Sequence, residues 1–280
     1  MKTVKITAKD GYELTAHLFE PKQPNQYFLL INSATGVKQQ MYFGLANYLA
    51  ELGITVLTYD YRGVGLSKPK KLKKFDASMR SWGALDYDAV ADYVFKNFPN
   101  SHYVLLGHSV GALIVGMSSY SKRMDDFIFV ATQNPYYPYL APSVRLFGLF
   151  GFGFLQPIVS STLGYFPGHW FGLGETLPSG CAADWRQIIL KKESTNILLN
   201  QVEDYSKDLH QDVLFIHAED DTWVTDKGIN SLLNDTYSNL KSERRLLKIS
   251  ESEKGEIGHV NFFRSYNQNL WKIVSDQILK

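Results

Sequence analysis

"LLGHSVGAL", Leu105 to Leu113, sets a serine between two glycines, with apolar residues on either side. Gly107-His108-Ser109-Val110-Gly111 fits G-x-S-x-G, and between a strand and a helix that pattern has a steric meaning. The turn is so sharp that the helix comes close to the strand it leaves, and hydrogen is tolerated best at the two glycines. Ser109 is forced into a strained backbone conformation with its hydroxyl clear of the sheet. The first free amides of the helix, led by Val110 N–H, point at any oxygen that turns negative beside Ser109. The competing reading is a plain Gly-rich turn with a capping serine, and the flanking chain has to decide between them.

Tyr103 to Leu106 reads as a buried strand, and Val110 onward as a helix. Tyr27 to Asn32, "YFLLIN", and Ile54 to Tyr59, "ITVLTY", are short continuous apolar runs, as in buried parallel strands. Between them Tyr42, Leu45, Ala46 and Leu49 repeat at helical spacing, and Gly53 stops that helix. Leu85, Ala89, Val90, Tyr93 and Val94 mark another helix, ended before Pro99. Val4 to Phe19 alternates around Asp10-Gly11 as a hairpin. Phe127 to Ala131, Val213 to His217 and Arg245 to Ile249 complete the strands, and Tyr266 to Ile278 forms a closing helix. Strands alternating with helices predict an α/β fold, a mostly parallel central sheet with helices on both faces. The chain reads as one domain with a core at 1–133 and 207–280. From Asn134 to about Ser206 the alternation stops and Gly, Pro and aromatics dominate, as in an insertion over the sheet's carboxyl edge.

A serine hydroxyl needs a base, and the base needs an acid to orient it. On such a sheet they follow in the order serine, acid, histidine. "VLFIHAEDDTWV" ends a strand in Glu219-Asp220-Asp221. Asp221 stands three residues beyond the small Ala218, a spacing that turns its carboxylate back over the sheet, with Asp220 as the alternative. "EKGEIGHVNFFR" puts His259 after the last strand and before the closing helix, where the base belongs. His108 should point away from the hydroxyl, and His217 reads as a core imidazole. The catalytic set is therefore Ser109, Asp221 and His259. The oxyanion donors are Val110 N–H and one amide from Asn32-Ser33-Ala34-Thr35-Gly36; we assign Ala34, with Thr35 as the register alternative.

Composition closes other doors. Lys+Arg 29 against Asp+Glu 28 provides no field for nucleic acid. The lysine run Lys68 to Lys74 reads as a solvated loop. "DYRGVGLS" lacks the spacing of a phosphate cradle, and no metal-ligand set or cofactor motif is present, so neither cofactor nor metal is expected. One cysteine, Cys181, excludes an internal disulfide. The polar N-terminus is no signal peptide, which fits a cytoplasmic protein. Leu146 to Phe166 is long enough to cross a bilayer, but its glycines, Gln-Pro pair and serines favour an apolar covering segment over a stable span.

These residues together resemble the α/β-hydrolase fold superfamily over essentially the whole chain. Within it the chain looks closer to a group of uncharacterised bacterial predicted hydrolases related to the serine aminopeptidase/monoacylglycerol lipase-like set. The likeness is carried by "SATGVKQQMYFGLANYLAELGITVLTYDYRGVGLS", "LLGHSVGA" and "GYFPGHWFGLGETLPSGCAADW". Relatives often carry a second glycine after the elbow, where this chain has Ala112. The resemblance implies the same triad and leaves the substrate open. We expect the 134–206 insertion to form a lid whose rings, Tyr136, Trp170 and Phe171 among them, bind a hydrophobic acyl group. The expected substrate is a small-molecule acyl ester, or a thioester. Amide or peptide hydrolysis by the same mechanism, a ligand-binding module without turnover, and a lipid-surface enzyme are the alternatives.

Overall fold

The apolar runs without polar alternation become the middle of the sheet. In the computed structural model, which describes residues 1–280, β3 (Tyr27–Asn32), β4 (Thr55–Tyr59), β5 (His102–His108) and β6 (Asp126–Val130) are almost wholly buried. Continuous burial is what a strand covered on both faces requires. β1 (Lys2–Thr7) and β2 (Glu13–Phe19) form the hairpin, and β2 pairs antiparallel with β4. Beyond β6 the chain leaves the sheet, adds a separate two-stranded ribbon of β7 (Tyr165–Pro167) and β8 (Thr176–Pro178), and returns as β9 (Asp212–Ala218) and β10 (Lys241–Leu247). The eight-stranded order is β1-β2-β4-β3-β5-β6-β9-β10, and the six strands from β4 to β10 run parallel. The sheet is therefore mostly parallel, with helices α1 (Phe43–Glu51), α2 (Asp88–Asn97) and α3 (Val110–Leu113) in its connections.

Two expectations about the C-terminal part need correction. The last strand starts at Lys241, four residues earlier than its apolar signal. It is an edge strand, exposed through most of its length, and its charges Lys241, Glu243, Arg244 and Arg245 hide it from a hydrophobicity reading while guarding the open edge. The closing helix is also not continuous. Ser265–Trp271 is a 3₁₀ run kinked at Asn267, whose side-chain amide donates to the Glu256 and Asn261 carbonyls.

Between β6 and β9 lie α4 (Pro142–Leu163), α5 (Ser179–Leu190) and α6 (Thr195–Leu199). α4 is long and apolar enough to cross a membrane, and it contains a widened π segment at Gly151–Leu155. It packs on α5: Arg186 Nε donates to the Phe152 carbonyl at 3.0 Å, and the Phe152 and Trp185 rings lie 4.9 Å apart. After β9 come α7 (Asp226–Ser231) and the terminal α8 (Lys272–Ile278).

Candidate active site

β5 delivers Ser109 at φ 53° and ψ −117°, a backbone state that L-residues avoid. Close packing holds it there. A Cβ on Gly107 would come within 2.7 Å of the Ala112 backbone, and one on Gly111 within 2.2 Å of the Asn32 carbonyl. Ser109 N–H donates to Val130 O at 2.9 Å, and the Thr132 hydroxyl donates to Ser109 O at 2.9 Å. The elbow is thereby tied to the adjacent strand end on both sides.

Loops from β9 and β10 bring two partners to the hydroxyl. His259 Nε2 lies 3.1 Å from Ser109 Oγ, and His259 Nδ1 lies 2.8 Å from Asp221 Oδ2. The other Asp221 oxygen accepts the Trp223 and Val224 amides. Burial alone would raise this carboxyl; the imidazole opposite, their hydrogen bond and the two amides outweigh burial and hold it below the usual carboxylate range. The neighbouring carboxylates therefore divide. Asp220 does not reach the imidazole; it accepts the Ile257 and Gly258 amides at 2.9 and 2.8 Å and so anchors the loop that carries His259.

Behind the triad runs a second buried chain. Ala34 N–H donates to the Tyr42 hydroxyl at 2.9 Å, and that oxygen lies 2.8 Å from His108 Nδ1. His108 Nε2 lies 2.8 Å from the His259 carbonyl. A carbonyl only accepts, so Nε2 carries the hydrogen; burial, reinforced by the nearby His259, pushes the His108 pKa down to about 3. The neutral ring then accepts at Nδ1 from Tyr42, whose own proton is retained because burial raises its pKa. His108 does point away from the Ser109 hydroxyl, and it joins the β3 loop to the backbone of His259.

This chain counts against the Ala34 assignment, because the Ala34 amide already donates to the Tyr42 hydroxyl although the residue lines the cavity. Thr35 N–H, one residue on, has no acceptor in the protein, and Thr35 lines the same cavity as Ser109 and Val110. Val110 opens α3, where no carbonyl one helical turn back is available to its amide.

That cavity is about 1080 Å³. Its lining includes the apolar side chains of Leu113, Trp185, Ile188, Ile189 and Trp223 and the charged ones of Lys38, Lys68 and Glu175. Glu175 lies 3.5 Å from Lys38 Nζ and 3.3 Å from Lys68 Nζ, and its backbone N–H donates to Gly36 O at 2.8 Å. The excursion is thus stitched to the β3 loop. Tyr136, Trp170 and Phe171 do not line this cavity. Tyr136 packs against Tyr137 and Tyr139, Phe171 stacks on Phe166 at 5.5 Å, and Trp170 is exposed. Ring content alone does not say which way a loop faces, and Ile188 and Ile189 gave no signal beyond helical apolarity.

The family described as "Serine aminopeptidase, S33" matches residues 23–157, which hold the β3 loop and the elbow. The whole chain has the α/β-hydrolase fold. No curated protein sequence matches it. Among solved structures it is similar to the esterase PF2001 of Pyrococcus furiosus, at 15% identity over 98% of this chain and 89% of that one, with a TM-score of 0.63. The α/β hydrolase GrgF from Penicillium sp. sh18 shares 16% identity over 99% and 97%, TM-score 0.66. The esterase EaEST from Exiguobacterium antarcticum shares 14% over 100% of both chains, TM-score 0.63. At such identities these likenesses concern the fold.

Proposed function

We propose that this α/β-hydrolase cleaves an ester bearing a hydrophobic acyl group, through a Ser109–His259–Asp221 triad and an acyl-enzyme. The observation that carries the reading is the unbroken contact chain, 3.1 Å from hydroxyl to imidazole and 2.8 Å from imidazole to carboxylate, on a serine held at positive φ. Ser109 Oγ attacks the acyl carbonyl while His259 Nε2 takes its proton. Asp221 fixes the ring with Nδ1–H toward itself and stabilises the imidazolium that forms. Val110 and Thr35 N–H hold the oxyanion, each worth about a hundredfold or more in rate. His259 returns the proton to the departing alcohol. A water activated by the same ring then clears the acyl group.

The apolar lining from α5 and Trp223 suits the acyl chain. In this reading residues 134–206 are a lid on a core of 1–133 and 207–280. Two of the structural neighbours are esterases by name, which agrees with an ester substrate. The matched family's description points instead to an aminopeptidase. Such an enzyme needs a free carboxylate for the substrate's α-ammonium. The only acidic side chain lining the cavity is Glu175, and two lysines flank it. That favours the ester.

A fluorophosphonate probe tests the nucleophile: wild type labels and Ser109→Ala does not. A folded wild type that stays unlabelled is a binding module, and the proposal fails. p-Nitrophenyl esters of increasing chain length, run beside aminoacyl p-nitroanilides, test the substrate. Turnover should rise with acyl length and be weak on the anilides. A flat ester series, or faster anilide cleavage, overturns the acyl assignment.

A further inference from the structure

We infer that the outer face of α4, together with the lysine loop beside it, is a docking surface for an anionic lipid bilayer, and that the protein attaches there peripherally without spanning. Seven of the thirteen exposed large apolar side chains fall between residues 146 and 170. Four of them, Leu146, Phe150, Phe154 and Ile158, repeat every four residues along α4 and are 57–67% exposed. The opposite stripe, Gly148, Phe152, Gln156 and Ser160, is buried. A step of four drifts by about 40° on a regular α-helix; the wider turn at Gly151–Leu155 offsets part of that drift, so both stripes persist along the helix. Trp170, 62% exposed, stands on the adjoining turn. A contiguous apolar face of this kind marks an interaction site.

Charge selects the occupant. Residues 127–174 contain no Asp or Glu, although 28 of the 280 residues are acidic. Lys73 and Lys74 abut the end of α4: Lys74 N–H donates to Gly164 O at 3.2 Å, and Lys73 Cγ lies 2.9 Å from where a Gly164 Cβ would sit. Lys70, Lys71, Lys73 and Lys74 are exposed, whereas Lys38 and Lys68 pair with Glu175. An apolar stripe without carboxylates, next to free ammonium groups, matches an acyl layer beneath anionic headgroups. Spanning would require α4 to leave α5 and expose Gln156 and Arg186, so an in-plane pose fits the packing.

The full chain is sedimented with phosphatidylcholine vesicles and with mixed phosphatidylcholine–phosphatidylglycerol vesicles at low salt. Wild type should bind the mixed vesicles and bind pure phosphatidylcholine far more weakly. Changing Lys70, Lys71, Lys73 and Lys74 to Gln should lower partitioning on the order of a hundredfold. Phe150→Ser and Phe154→Ser, each alone, should lower it about tenfold. Unchanged circular dichroism and unchanged turnover of a soluble ester show that these variants are folded. Ser109→Ala should bind like wild type, which separates this inference from the catalytic one. Equal affinity for both vesicle types, or none for either, overturns it. So does a solution dimer that Phe154→Ser dissociates in the absence of any vesicle binding.

Discussion

The cavity has a floor and a roof made in different ways. Its floor is the set of loops leaving β3, β5, β6, β9 and β10, where each candidate catalytic side chain is held by several directed bonds. Asp221 has three partners, His259 is gripped at both ring nitrogens and at its carbonyl, and Ser109 is bonded through its own backbone N–H and C=O. Its roof comes from α5, which contributes apolar contact through Trp185, Ile188 and Ile189, and from the turn between β7 and β8, joined to the floor at Glu175 and Gly36. The difference teaches that geometry for bond-making comes from strand ends, which the sheet holds rigid. The shape available to a substrate comes from a segment without such a scaffold. Changes in the floor should therefore act on kcat, and changes in the roof on KM and chain-length preference.

The largest break should come from Ser109→Ala, with kcat falling roughly a millionfold. Residual turnover within tenfold of wild type would remove Ser109 from the chemistry. Ser109→Gly should also abolish turnover while raising stability by about 1–2 kcal/mol, because glycine tolerates the positive φ; thermal unfolding reads this. Asp221→Asn should cost about ten-thousandfold in kcat, through loss of the correct tautomer. Asp220→Asn should cost far less, since it holds a loop and does not touch the ring. Equal losses for the two would erase the distinction between them.

His108→Phe sharpens the contrast within the floor, because this side chain touches no substrate. We expect a ten- to hundredfold fall in kcat with KM little changed, as the His259 backbone loses its strut. The variant should also alter acid stability. In the fold the imidazole stays neutral down to about 3, whereas in the unfolded chain it titrates near its ordinary 6.5. Between those values the unfolded chain binds the extra proton, so wild-type stability falls as pH drops from about 6.5 toward 3. Denaturant unfolding across that window should show a shallower slope in His108→Phe. Identical slopes would mean the ring is not buried and neutral.

Smaller effects belong to the roof. Ile188→Ala and Trp185→Ala should raise KM for long-chain esters by about tenfold and leave acetate turnover near wild type. A uniform loss across the series would make α5 part of the floor's scaffold.

The sequence carried the sheet a long way because buried parallel strands leave a signal that needs no partner: continuous apolar runs closed by Gly, Asp or Asn. It carried the candidate site through position. Ser109 was marked by its glycines, and Asp221 and His259 by standing just after strands. Edge strand β10 escaped because its side chains face water and charge is what protects it. The reading did not resolve Ala34 from Thr35 because the amides of one short loop differ only in direction. It failed on Tyr136, Trp170 and Phe171 because an aromatic residue satisfies the same composition facing a substrate, a neighbouring ring or solvent.

By itself, then, the chain's order of residues determined which elements form and which side chains stand at their ends, since local sterics and hydrophobic burial act along the sequence. Only the tertiary structure decided that the Ala34 amide turns to Tyr42, that His108 braces His259, and that α5 lines the cavity while α4 shows Phe150 and Phe154 to solvent and buries Phe152. Those outcomes depend on the direction of bonds between segments far apart in the chain, and direction is fixed only when the segments pack.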